Sequence, residues 1–184
     1  MGRIVASCMV SLEGVMESPE EWAFGFADEE FDRRALDELL ASEALLLGRR
    51  TYEGFVDYWP SATDDFGLAD RMNAMPKFVA STTLQGPLGW NAELMDGGVA
   101  QEASELRRRS GGDVLVLASA DLVRTLARHG LVDEYRLRVA PVVVGEGRRL
   151  FGDMGGRKDL RLVGTETLGT GVVVLTYSPA GKDG

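Results

Sequence analysis

Short apolar runs with strand character alternate with amphipathic runs of helical period along most of this chain, and that alternation restricts the fold more than any other feature. Residues 1–12 are largely apolar, too short to cross a bilayer and followed by no small-residue cleavage site, so they read as a first core strand. Asp28 is placed to cap a helix whose apolar residues Phe31, Ala35, Leu36, Leu39 and Leu40 recur at helical spacing. The run from Ala44 to Leu47 ends at Gly48 and reads as a buried strand feeding a turn and a new helix. A helix over 68–75 should stop at Pro76, followed by a strand over 77–81 and a loop opened by Ser81, Thr82 and Thr83. A helix over 101–109 is stopped by Ser110, Gly111 and Gly112 before a strand over 113–117. Ser119 then starts a helix striped by Leu122, Val123, Leu126 and Ala127, with Gly130 suited to a left-handed cap.

Further on, Tyr135, Leu137 and Val139 alternate with Arg136 and Arg138, predicting one core face and one polar face, and residues 141–145 continue that strand. Two last strands, 160–168 and 172–177, are joined across Gly169, Thr170 and Gly171 as a hairpin. The expectation is an α/β protein: a mostly parallel central sheet flanked by helices, closed by an antiparallel C-terminal hairpin. With 184 residues, no internal repeat and no linker, one domain over residues 1–180 is expected, followed by a short polar tail over 181–184.

A formal net charge of -9 repels both nucleic acid and anionic membranes, so neither is an expected partner. The single cysteine, Cys8, lies in the apolar first strand and reads as a buried thiol, which fits a reducing cytoplasm. The single histidine, His129, sits at a helix end where its charge suits the helix dipole. One histidine and one cysteine cannot build a metal cluster or a Cys/His catalytic pair.

Three stretches are candidates for chemistry. Gly48, Arg49, Arg50, Thr51 and Tyr52 follow a strand and open a helix, which makes either a phosphate cradle or a solvated turn. Ala118, Ser119 and Ala120 stand at a strand's carboxyl end, where α/β sheets collect ligands, although Ser119 also reads as a simple helix N-cap. Glu13 lies on the loop leaving the first strand, upstream of Trp22; it is either a carboxylate that orients or protonates a substrate or a solvated loop acid.

The order and spacing of several motifs together resemble the dihydrofolate-reductase-like family, in its branch similar to the reductase domain of the riboflavin pathway. These are Ser11–Leu12–Glu13–Gly14–Val15–Met16–Glu17, Trp22, Leu47–Gly48–Arg49–Arg50–Thr51–Tyr52, Trp59 and Met75–Pro76–Lys77. Later ones are Ala80–Ser81–Thr82–Thr83–Leu84, Gly130–Leu131–Val132–Asp133–Glu134, the stretch 141–147, and Leu150 with Phe151. The resemblance implies hydride transfer from NADPH to a small heterocyclic or carbonyl substrate, without metal or covalent intermediate, in a homodimer. It places the 2′-phosphate and pyrophosphate at Gly48, Arg49 and Thr51, with Arg50 as a rival cation. It also places the adenosine end near Ser81 and Thr82, the pyrophosphate near Ala118, Ser119 and Ala120, and the substrate near Glu13 and Trp22.

Two positions depart from the family's usual pattern: Glu13 replaces an aspartate, and Ala118 and Ala120 replace glycines. The turn at Gly48 looks like that of the stand-alone branch. A nucleotide-binding or interaction protein that has kept the fold and lost turnover is the alternative, and a flavin-type or deazaflavin-type oxidoreductase a third.

Overall fold

The computed structural model describes residues 1–152 and 154–181. Its strands are β1 (Ile4–Val10), β2 (Ser42–Gly48), β3 (Lys77–Ala80), β4 (Ala92–Met95), β5 (Asp113–Leu117), β6 (Glu134–Val139), β7 (Leu160–Thr167) and β8 (Val173–Pro179). The α-helices are α1 (Pro19–Trp22), α2 (Glu29–Leu40), α3 (Arg49–Tyr58), α4 (Leu68–Ala74), α5 (Val99–Arg109) and α6 (Ala120–Arg128). All eight strands form one sheet in the order β4-β3-β2-β5-β1-β6-β8-β7. Strands β1 to β6 pair in parallel, whereas β8 pairs antiparallel with both β6 and β7. The expected α/β class and C-terminal hairpin are present. Of the tail expected over 181–184, residues from Lys182 onward lie outside the described residues.

Both faces of the parallel part are covered, which is why its strands are apolar runs. Leu39 of α2, Tyr52 of α3, and Leu68 and Met72 of α4 pack over Val5, Leu45, Leu47 and Leu115. On the other face Ala103 and Leu106 of α5, with Val123 and Leu126 of α6, cover Ile4, Ala6, Leu46, Val114 and Val116. Each such leucine or isoleucine contributes about 1.5–3 kcal/mol through burial. Asp28 caps α2 by accepting a 2.9 Å bond from Phe31 N, and Gly130 ends α6 at a φ of 66°. Cys8 is buried, as its place in β1 suggests.

The structure departs from the expectations at five places. Residues 141–145 do not extend β6: after Val139 the chain leaves the sheet, and Gly145 and Gly147 adopt positive φ. Arg138 does not face solvent. β6 is an interior strand between β1 and β8, and α2 lies over the face that Arg138 occupies, so Arg138 is buried beside Glu38 and the Phe31 ring of α2. Leu40 is exposed and does not join the helix stripe, whereas Glu38 turns inward. Strand β4 carries too short an apolar run to register as a strand beforehand. Finally, the second strand of the hairpin, β8, is interior and its first strand, β7, forms the sheet edge, an order the sequence pattern does not reveal.

Candidate functional site

The helices that follow neighbouring strands leave the sheet on opposite faces. From β2 the chain passes to α3, on the face of Leu45 and Leu47, whereas from β5 it passes to α6, on the face of Val114 and Val116. Beyond β1, on the other side of β5, the chain runs toward α2 on the first face. A crevice therefore opens at the carboxyl end of β5, between connections that diverge, and this is where open α/β sheets bind ligands.

Gly48 and Ser119 form the floor of that crevice. Ser119 Oγ accepts a 2.9 Å bond from Gly48 N and lies 2.6 Å from Thr51 Oγ1. A Cβ on Gly48 would stand 2.8 Å from Ser119 Oγ, so glycine is required here by close approach rather than by its φ of -80°. Ser119 does precede α6, but its hydroxyl caps nothing on that helix because it is turned across to β2. Neither α3 nor α6 has a side-chain cap, so two sets of unpaired helix-start amides adjoin the crevice. Ala118 and Ser119 hold φ of 51° and 63°, a left-handed conformation that costs a non-glycine residue roughly 1 kcal/mol or more. In the first turn of α6, Asp121 is paired with Arg124 at 2.5 Å and Arg148 at 2.6 Å, which offsets its charge near the helix start.

The remaining candidates have definite places. Arg49 is paired with Glu53 one turn along α3, at 3.1 Å. Arg50 is exposed, with no ion-pair partner among the described residues. Ser81 Oγ accepts from Thr83 N and Leu84 N, closing its own turn, and Thr82 is exposed. Trp22 is half-buried and donates from Nε1 to Glu17 O.

Glu13 ties two loops together. One carboxylate oxygen accepts from Ser11 Oγ at 2.6 Å and the other from Val144 N and Gly145 N at 2.8 and 2.7 Å. The Ser11 hydroxyl, and then the backbone N–H groups, pull its pKa down to about 2, so the group is an anion at neutral pH. Leu12 N to Val142 O and Met16 N to Arg148 O complete a ribbon that fixes residues 142–149 against 11–17, above the ends of β1 and β6.

A buried polar cluster beneath the same edge escaped the sequence reading. Arg138 Nη1 donates to Ser7 Oγ, which donates to Glu38 Oε2, each at 2.7 Å. Arg138 Nη2 lies 2.9 Å from that same carboxylate oxygen, close enough for a charge pair but misaligned for a hydrogen bond. The guanidinium also stacks 5.2 Å from the centre of the Phe31 ring. Glu38 stands seven residues after Phe31 and three after Ala35, so helical spacing already put it on the inward face.

Residues 3–174 match the family described as the RibD C-terminal domain, and the chain belongs to that family. Among particular relatives, it is 31% identical over 181 residues to the uncharacterised protein YyaP of Bacillus subtilis (strain 168), covering 95% of this chain and 94% of that one. A Shewanella sp. PV-4 protein assigned provisionally to riboflavin biosynthesis superposes with a TM-score of 0.78 at 17% identity, over 96% of this chain and 98% of that one. Dihydrofolate reductase from Enterococcus faecalis, solved with NADP(H), superposes with a TM-score of 0.64 at 13% identity, over 97% and 96% of the two chains. The fold is thus that of the dihydrofolate-reductase-like proteins. Among the described residues no helix is long and apolar enough to cross a membrane.

Proposed function

We infer that this protein is an NADPH-dependent reductase acting on a small heterocyclic or carbonyl compound. The observation that carries the reading is the pair of uncapped helix starts on adjoining strands, joined through Ser119, with Arg49 and Arg50 beside them. Helix-start amides and guanidinium groups favour phosphate, and a dinucleotide presents several phosphates within one molecule. Gly48 carries no side chain, and the Ser119 hydroxyl beside it is turned toward Gly48 N and Thr51, which suits close approach of a pyrophosphate.

In this reading Gly48, Thr51, Ala118, Ser119 and Ala120 hold the pyrophosphate, and Arg49 or Arg50 holds the 2′-phosphate. Ser81 and Thr82 lie toward the adenosine end. When bound, the nicotinamide supplies a hydride. The chain's own residues bind, orient and exclude water. Glu13 is held as an anion and keeps the 142–149 ribbon closed over the end of β1, which makes it a positioning residue more than a proton donor. Trp22 and the Phe31 side chain lie on the connection from β1 and α2, and form the substrate side.

A charge-assisted bond from an arginine to the 2′-phosphate is worth about 1.5–3 kcal/mol, hence roughly a tenfold to hundredfold preference for NADPH over NADH. Calorimetric titration of both cofactors into the wild type, Arg49→Ala and Arg50→Ala tests this. The expected result is preference for NADPH that one of the two substitutions abolishes. No binding of either cofactor at millimolar concentration, or equal binding by the wild type, overturns it.

A further inference from the structure

The ribbon 142–149 reaches the start of α6 through one residue, Arg148. The backbone of Arg148 is fixed, because its N donates to Glu17 Oε2 at 3.0 Å and its O accepts from Met16 N at 2.9 Å. Before it, Gly147 lies so close to buried Val15 that a Cβ there would stand 2.8 Å from Val15 Cγ1. After it, Arg149 forms an antiparallel bridge with Val15. From this base the guanidinium crosses to Asp121, the second residue of α6, and Nη1 donates to Oδ2 at 2.6 Å.

Asp121 is the acidic residue in the first turn of α6. An acid there ordinarily favours a helix start, by accepting from the free amides or by lying beside their positive dipole end. In doing so it competes with an anionic ligand for the same groups. Here the carboxylate is drawn away from them, since Arg124 Nη2 donates to Oδ1 at 2.5 Å while Arg148 takes Oδ2, and α6 is left without a side-chain cap. Arg124 is largely buried and belongs to the same helix, whereas Arg148 comes from the ribbon. The Asp121 side chain is 73% exposed, so its charge acts on the crevice unless a cation faces it.

We propose that Arg148 is a positioning residue for the cofactor: it holds the Asp121 carboxylate off the start of α6 and neutralises it, so that the start stays open to a pyrophosphate. This rests on the reductase reading in one respect, that a dinucleotide binds in the crevice. Arg148 acts through Asp121 and leaves the phosphate to the backbone amides. A residue of that kind becomes dispensable once position 121 carries no charge. An arginine that gripped the phosphate itself would be missed equally whatever stood at 121, so the two roles separate in a double-mutant cycle.

Calorimetric titration of NADPH into the full chain tests this. Arg148→Met should weaken binding roughly threefold to tenfold, as one exposed charge does when it faces a doubly charged anion. Arg148→Lys, which keeps a cation for Oδ2, should restore most of the affinity. Asp121→Asn should bind at least as tightly as the wild type, and in its background Arg148→Met should cost about twofold or less. The loss in Arg148→Met should also shrink as salt rises from about 0.05 to 0.5 M, a response that a purely structural role does not give. If thermal unfolding shows Arg148→Met to be misfolded, the nearly isosteric Asp121→Asn decides, and weaker binding than wild type overturns the proposal. Equal losses from Arg148→Met in both backgrounds, a loss insensitive to salt, or unchanged affinity in Arg148→Met overturns it while the reductase reading stands. A wild type that binds no NADPH overturns both.

Discussion

Replacing Arg138 with methionine strands the buried Glu38 carboxylate with only the Ser7 hydroxyl, Arg34 Nη1 being 3.7 Å away and unable to take over the lost 2.9 Å contact. Removing one member of a buried ion pair costs about 3–5 kcal/mol, and the lost stacking on Phe31 adds about 0.5–1 kcal/mol. The pair is imperfect as it stands: Glu38 Oε1, Arg138 Nε and Arg138 Nη2 are buried without hydrogen-bond partners, and each such atom costs about 1–3 kcal/mol. Replacing both charges, as Glu38→Leu with Arg138→Met, should therefore leave the protein within about 2 kcal/mol of wild type, far less than the sum of the singles. Urea unfolding followed by far-ultraviolet circular dichroism reads this directly. With a slope of about 2 kcal/mol per molar, Arg138→Met should lower the midpoint by roughly 1.7–3 M. A loss below about 1 kcal/mol for Arg138→Met, or a double variant equal to the sum of its singles, would refute the reasoning.

Gly48→Ala should lose about 1–3 kcal/mol in thermal unfolding through the clash with Ser119, and Gly48→Ala combined with Ser119→Gly should recover most of it. Ala118→Gly should raise thermal stability by up to about 1 kcal/mol by relieving the left-handed backbone, with little change in NADPH affinity. Because Glu13 titrates near 2 in the folded chain, against 4.5 ordinarily, its contribution is complete above pH 4.5 and fades as pH falls toward 2. Glu13→Gln should flatten that acid limb and speed amide exchange at Val144 and Gly145. Among the described residues Lys77 has no carboxylate partner; it is buried under the Trp90 ring, and burial lowers its pKa from 10.5 to about 8. The unfolded chain then binds more protons between those values, so stability should rise as pH climbs from 8 toward 10 in denaturant titrations, and Lys77→Met should abolish the slope.

The alternation of runs sufficed to read the α/β class, the hairpin and the strand ends at Gly48 and Leu117, because burial on both faces leaves a strong apolar signature. It failed where tertiary context overrode local pattern. Val142, Val143 and Val144 have every β preference, yet Glu13 takes the amides of Val144 and Gly145, and the chain turns away from the sheet. Arg138 alternates like a solvent-facing residue, but a strand with neighbours on both sides and helices on α2's face offers no water there. Of the site, the three turns were visible as motifs. That Ser119 bonds to Gly48 and Thr51 was not, since it depends on β2 and β5 being neighbours although they lie far apart in sequence.

The placement of β1 also bears on how the chain is made. Its two neighbours are β5 and β6, beginning at Asp113 and Glu134, so a ribosome must extrude the chain past Asp113 before Ile4–Val10 finds any partner. Until then the most apolar strand waits outside the tunnel with both edges open, a natural client for a holding chaperone. Nascent chains arrested before β5 emerges should keep that segment open to protease, and release past β6 should close it in a single late condensation.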